Sequence, residues 1–315
     1  MRRGKGVYNA RGKTKMESII RYMEQDYAAI RSILQSFKEK YPFITLNSIG
    51  KSVYGREIPS IRIGRTNEYV LYAGAFHGTE RITATLLLMF AEELCEALKN
   101  HSEISGIDAV KAMYGRGIII VPMVNPDGCE IALKGPSSCG CFAGRIQRLC
   151  NGKYTEWNAN LRGVDINHNF DADWTALREL ERHNGIFGPA PRQFGGNKPH
   201  SEPETMALVD LCRFMRIRHA VAFHSQGEVI YWNFGKNTPL KARRMAEIMA
   251  ASSGYALDVP TGLASGGGFK DWFIEKQKRP AFTVEVGRGK NPLDPALLPA
   301  LYNRLREMLM ITLLM

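Results

Sequence analysis

At 315 residues, 44% hydrophobic and 23% charged, the chain has ample apolar material for a large core and is neither a disordered nor a fibrous sequence. Its net charge of +11 is spread along the chain without a nucleic-acid-reading motif, which points away from nucleic acid and toward acidic substrates or solubility. The longest apolar runs, Leu86 to Ala91 and the closing MLMITLLM, fall far short of the roughly 20 residues a bilayer requires.

The opening MRRGKGVYNARGKTK is basic and turn-forming, so residues 1–15 are expected to form a frayed tail and residues 16–315 one catalytic domain. The following segment carries charges throughout and cannot serve as the apolar core of a signal peptide, which leads to the expectation of a cytoplasmic protein with no membrane partner. The pattern from about Lys15 to Tyr41 predicts a helix ended by Pro42, followed by the strands LNSIGKSV and IPSIRIG. Tyr69 to Phe76 reads as a buried strand entering the turn HGTE, and Thr79 to Asn100 as a long helix. Gly117 to Val124 reads as another buried strand, ending in the turn Asn125-Pro126-Asp127-Gly128.

Residues 129–162 read as a long irregular insertion holding Cys129, Cys139, Cys141 and Cys150. Their spacing matches no zinc knuckle. Free thiols are the first reading, with loop disulfides or a second metal as alternatives. Beyond the insertion come helices near 203–216, 239–253 and 295–313 and strands at 219–224, 229–232 and 281–286. Such alternation predicts an α/β protein with a mixed sheet covered on both faces, and ligands in such sheets bind at the carboxyl ends of the strands.

The motifs fall at those ends. His77 and Glu80 close one apolar strand at H-x-x-E spacing, and His224 closes another, which makes a His₂Glu set suited to one Zn²⁺ with a fourth position left open. His101, His183, His200 and His219 read as surface residues. Glu285, a carboxylate within the apolar run AFTVEVG, is costly to bury unless function requires it. It is the candidate base for the attacking water.

Together HGTE, His224, NPDG, GVDINHNF (163–170), ASGGGFKDW (264–272) and FTVEVG (282–287) resemble the zinc carboxypeptidases related to carboxypeptidase A, over roughly residues 40–310. The resemblance implies an α/β/α sandwich around a mixed, about eight-stranded sheet. It implies His77, Glu80 and His224 as zinc ligands and Glu285 as general base and then proton donor. It also implies an arginine that polarises the scissile carbonyl, for which Arg162 is the first choice, with Arg145 and Arg148 behind it. Where the family grips a terminal carboxylate with an Asn-Arg pair, this chain has Asn167-His168, and Gly262 or Leu263 stands where a mobile tyrosine is expected.

Within the family these features look most like the γ-D-glutamyl-L-diamino acid endopeptidases. The implied substrate is an acidic muropeptide cut at its γ-D-glutamyl–meso-diaminopimelate bond, with His168, Lys270 and Arg288 among the carboxylate-binding groups and Gln226 and Glu228 beside the cleft. A conventional metallocarboxypeptidase releasing L-amino acids, and a zinc- or muropeptide-binding protein without turnover, remain as alternatives.

Overall fold

Ten strands form in the computed structural model, which describes residues 18–20 and 25–315. They are β1 (Thr45–Lys51), β2 (Glu57–Ile63), β3 (Tyr69–Gly74), β4 (Glu103–Ile104), β5 (Ile107–Asp108), β6 (Gly117–Val121), β7 (Ile217–His224), β8 (Val229–Tyr231), β9 (Ala256–Asp258) and β10 (Ala281–Glu285). Eight of them make one sheet in the order β1-β2-β6-β3-β7-β10-β8-β9, while β4 and β5 pair separately. The central β6, β3, β7 and β10 run parallel, and antiparallel pairs flank them.

These central strands are mostly apolar because both faces are covered. Val70 and Tyr72 face one apolar cluster, with α1 (Tyr27–Lys40), α2 (Ile82–Asn100), α8 (Leu240–Ser253) and α10 (Leu298–Thr312). Leu71 and Ala73 face the other, with α7 (Pro203–Phe214) and α9 (Phe269–Trp272). The remaining helices are α3 (Ala109–Met113), α4 (Pro126–Lys134), α5 (Ala143–Cys150) and α6 (Trp174–His183). The sequence-based expectation of an α/β/α sandwich on a mixed eight-stranded sheet therefore holds.

Several boundaries differ from expectation for local reasons. The first helix starts at Tyr27, where the Asp26 side chain accepts from Ala29 N at 2.7 Å; residues 18–20 are not helical, and the basic tail lies outside the described residues. Helix α2 begins at Ile82 rather than Thr79, because residues 77–81 form a separate turn in which Glu80 N donates to His77 O. The segment 129–162 is not irregular. It contains most of α4, all of α5 and two 3₁₀ turns around a third apolar cluster of Ile131, Cys139, Ile146, Cys150, Trp157 and Leu161. Here buried cysteines behave as small apolar residues, and all six cysteines of the chain are free thiols. His219 is not a surface residue: it is buried in β7, with Nε2 against Thr312 O at 2.9 Å.

No helix among the described residues is long and apolar enough to cross a membrane.

Candidate active site

The carboxyl ends of β3, β7 and β10 lie side by side, and the side chains they deliver meet in one cleft. Just past β3 the chain turns through His77-Gly78-Thr79-Glu80. Only glycine fits at 78, because a Cβ there would lie 2.3 Å from Gly128 O and 2.4 Å from Trp157 O. Asn125, the N-cap of α4, fixes the same corner: its Nδ2 donates to Phe76 O, Asn158 O and Ala159 O at 3.0 to 3.2 Å. The NPDG motif is thus the start of a helix that ties two site segments together, not a free turn.

His77 Nδ1 lies 2.9 Å from Glu80 Oε1, and His224 Nδ1 lies 3.0 Å from Glu80 Oε2 and 3.3 Å from His77 Nδ1. Among the described residues this trio is the group whose ligand atoms converge as a metal site, all within 4.8 Å of one another. Two ring nitrogens facing each other across one carboxylate cannot all be satisfied by protons, whereas a shared cation satisfies the three. The donor set suits Zn²⁺. Burial alone disfavours charge on His77, but Glu80 and Asp165 beside it pull its pKa well above the usual histidine value. Burial likewise opposes Glu80, and the two histidines overcome it, holding the carboxyl at about 2.

Asp165, inside the GVDINHNF motif, orients the first ligand. Its Oδ1 is 3.0 Å from His77 Nε2 and its Oδ2 accepts from Gln193 N at 3.0 Å. Burial would raise its pKa, yet His77 and His168 keep it far below the usual carboxylate range. A carboxylate behind a ligating imidazole fixes ring orientation and raises ligand basicity. Asp165→Asn is expected to weaken zinc affinity by roughly 10- to 100-fold, read by competition with a chromogenic chelator; unchanged affinity would remove Asp165 from the site.

Glu285 is held abreast of the trio by register, since β10 pairs parallel with β7 and Glu285 sits opposite His224. Burial, and then the Glu80 charge, push its carboxyl up to about 8, with His77 opposing. A carboxyl so poised suits proton transfer near neutral pH.

The cleft has a chamber of about 250 Å³ lined by the trio, Glu285, Asn167, His168, Lys270, Asp271, Tyr231 and Leu263, among others. Asn167 Oδ1 accepts from Phe269 N at 3.0 Å, which anchors the GVDINHNF segment to the ASGGGFKDW segment. His168 Nδ1 is taken by the buried Glu181, at 2.8 Å from Oε1, while Glu181 also meets Arg178 and accepts from Gly195 N. The imidazole also meets the backbone of Gln193, so it offers the cleft no fork such as a guanidinium would. Lys270 is buried at the chamber wall, donating to Asn233 O at 2.8 Å and paired with Asp271.

Four other sequence-assigned residues lie elsewhere. Arg162 does not line the cleft: its guanidinium is 3.5 Å from Glu202, in a buried acidic network with Asn160 and Glu204, and its backbone carbonyl accepts from Arg145. Arg288 is exposed and held by Glu228 at 2.8 Å, Glu228 also binds Arg304, and neither Arg288 nor Glu228 lines the cleft. Gln226 lines a second chamber that adjoins the first at Glu80, together with Asn158, Ser225, Arg192 and Lys290. Arg192 borders both chambers. Sequence reading missed it, along with Asp165 and Tyr231, although Asp165 stood inside a motif already singled out.

A His₂Glu trio at the ends of adjacent parallel strands, with a buried carboxylate facing it, defines a zinc metallopeptidase. The family model for zinc carboxypeptidases matches residues 30–307, and the chain belongs to that family. It is 34% identical over 279 residues, 88% of this chain and 69% of the relative, to γ-D-glutamyl-L-diamino acid endopeptidase 1 of Lysinibacillus sphaericus. It is 30% identical over 207 residues, 62% of this chain and 41% of the relative, to the human carboxypeptidase N catalytic chain. Among solved structures, carboxypeptidase A of Helicoverpa armigera superposes with a TM-score of 0.70 at 20% identity, covering 94% of this chain and 73% of that one.

Proposed function

We propose that this peptidase hydrolyses the amide between a γ-linked D-glutamyl residue and meso-diaminopimelate in soluble cell-wall peptides. The observation that carries the reading is Lys270, a buried ammonium paired with Asp271 at the wall of the chamber that takes the leaving amine. A buried ion pair costs desolvation that packing alone does not repay. The far end of diaminopimelate is itself a carboxylate with an ammonium, the complement of such a pair. His168 in place of a bidentate guanidinium supports the same reading, because a diamino-acid leaving group does not depend on one terminal-carboxylate clamp. The 34% identity to a γ-D-glutamyl-L-diamino acid endopeptidase points the same way.

In this reading His77, Glu80 and His224 hold the zinc, which when bound supplies Lewis acidity and lowers the pKa of a water. Asp165 holds the His77 ring. Glu285 takes the proton of the attacking water and passes it to the leaving nitrogen, while Asn167, His168 and Lys270 position the diamino acid.

The test is to incubate zinc-loaded protein with L-Ala-γ-D-Glu-meso-diaminopimelate and with a blocked L-dipeptide, following products by mass spectrometry. Release of diaminopimelate from the first and nothing from the second is expected. Cleavage of the L-dipeptide alone would replace this reading with that of a conventional carboxypeptidase.

A further inference from the structure

The second chamber, of about 440 Å³, shares Glu80, Asn158, Arg192 and Ser225 with the first and is bordered by two cations, Arg192 and Lys290. Neither belongs to an ion pair among the described residues. Arg192 has one arm on Glu156 O, Nη2 at 3.2 Å, which leaves the rest of its fork uncommitted. The two acidic residues at the chamber edge do not cancel this charge: Glu80 is engaged by both histidines, and Glu156 meets Arg192 through its backbone carbonyl.

Both cations are placed by anchors to the metal-binding segments. On one side of Arg192, Pro191 O accepts from Asn158 N and Ala159 N at 2.8 and 2.9 Å. On the other, Gln193 N donates to the same Asp165 that holds His77. Gln193 adopts φ +64°, a left-handed conformation that a non-glycine residue keeps only where its surroundings impose it. Lys290 precedes Asn291, whose side chain is doubly bonded to Ser225, the residue after His224, at 2.5 and 2.8 Å. Two like charges bordering one cavity repel each other, and an anion between them relieves that repulsion.

Arg192 lines the chamber of His77, Glu80, His224 and Glu285 as well as the second one, so an anion that it holds belongs to the part of a substrate near the metal site. In an ordinary peptide the acyl residue has no free α-carboxylate, because that group is the scissile carbonyl. A γ-linked glutamyl residue keeps its α-carboxylate, four bonds from the carbon under attack. Resting on the function proposed above, we infer that Arg192 and Lys290 form an acyl-side subsite for this carboxylate. The subsite thereby selects an acyl residue that carries a carboxylate four bonds from the carbon under attack, with Arg192 as the fork and Lys290 as the point charge.

The experiment compares two substrates with the zinc-loaded enzyme: L-Ala-γ-D-Glu-meso-diaminopimelate, and the same peptide with the glutamyl α-carboxylate converted to a carboxamide. The wild type is expected to favour the free carboxylate by about 10- to 100-fold in kcat/KM, the range for losing a charged hydrogen-bond partner. That ratio should fall at least tenfold in Arg192→Gln and in Lys290→Gln, with Arg192→Lys recovering part of it. Equal wild-type rates on the two substrates would overturn the subsite and leave the proposed function standing. A preference undiminished in both glutamine variants would overturn the assignment to these two residues. Cleavage of neither peptide would instead overturn the proposed function.

Discussion

Glu285→Gln is expected to lower kcat by about 10²- to 10⁴-fold, the usual worth of a positioned general base, while zinc content stays at the wild-type level. The geometry separates the two readouts. Glu285 is opposite His224 in the β7–β10 pairing but does not belong to the converging trio, so the amide keeps the shape of the site without its proton-accepting oxygen. Its carboxyl is pushed up to about 8 by burial and by Glu80, and the charge of a bound cation would draw that value down toward neutrality. Single-turnover measurements with enzyme in saturating excess over a cleavable peptide isolate the chemical step, and metal analysis checks occupancy. A rate within twofold of wild type would remove Glu285 from proton transfer. Loss of zinc together with activity would recast it as part of the metal site.

What the sequence made legible followed from local pattern. His77 and Glu80 share one turn, and His224 and Glu285 each close an apolar β-run, so strand periodicity alone placed four groups at one edge of the sheet. Asn167, His168 and Lys270 lie in motifs whose order is distinctive. Arg162 was misplaced because proximity to GVDINHNF in sequence does not set side-chain direction: the backbone turns at Asn160 to Gly163, where Asn160 Oδ1 accepts from both Arg162 N and Val164 N, and the guanidinium emerges toward Glu202. Arg192 left no signal, since residues 184–200 follow no helical or strand period, and its position depends on hydrogen bonds to residues about 30 positions away. The segment 129–162 looked irregular because its helices are short and their apolar faces are built partly from cysteine, alanine and a lone tryptophan.

The buried network that captures Arg162 should also set the pH dependence of stability. Glu204, in the first turn of α7, is fully buried, and burial pushes its carboxyl from 4.5 up to about 7 despite hydrogen bonds from Asn160 Nδ2 and Val53 N. The folded protein therefore binds this proton more tightly than the unfolded chain does. Stability from this group is fully present below about 4.5 and is lost as pH rises through about 7. At full ionisation the loss is about 3 kcal/mol.

Glu204→Gln removes the titration. It also carries a cost at every pH, because the new amide NH₂ faces Asn160 Nδ2, and Asn160 cannot flip while its Oδ1 serves Arg162 N and Val164 N. The decisive quantity is thus the slope rather than the level. Unfolding free energies from urea titrations at pH 5 and pH 9 should show the wild type losing about 3 kcal/mol more than the variant across that interval. Parallel pH profiles for the two proteins would mean that Glu204 ionises in the folded state no later than in the unfolded one, and that the Asn160, Glu202 and Arg162 network solvates its charge.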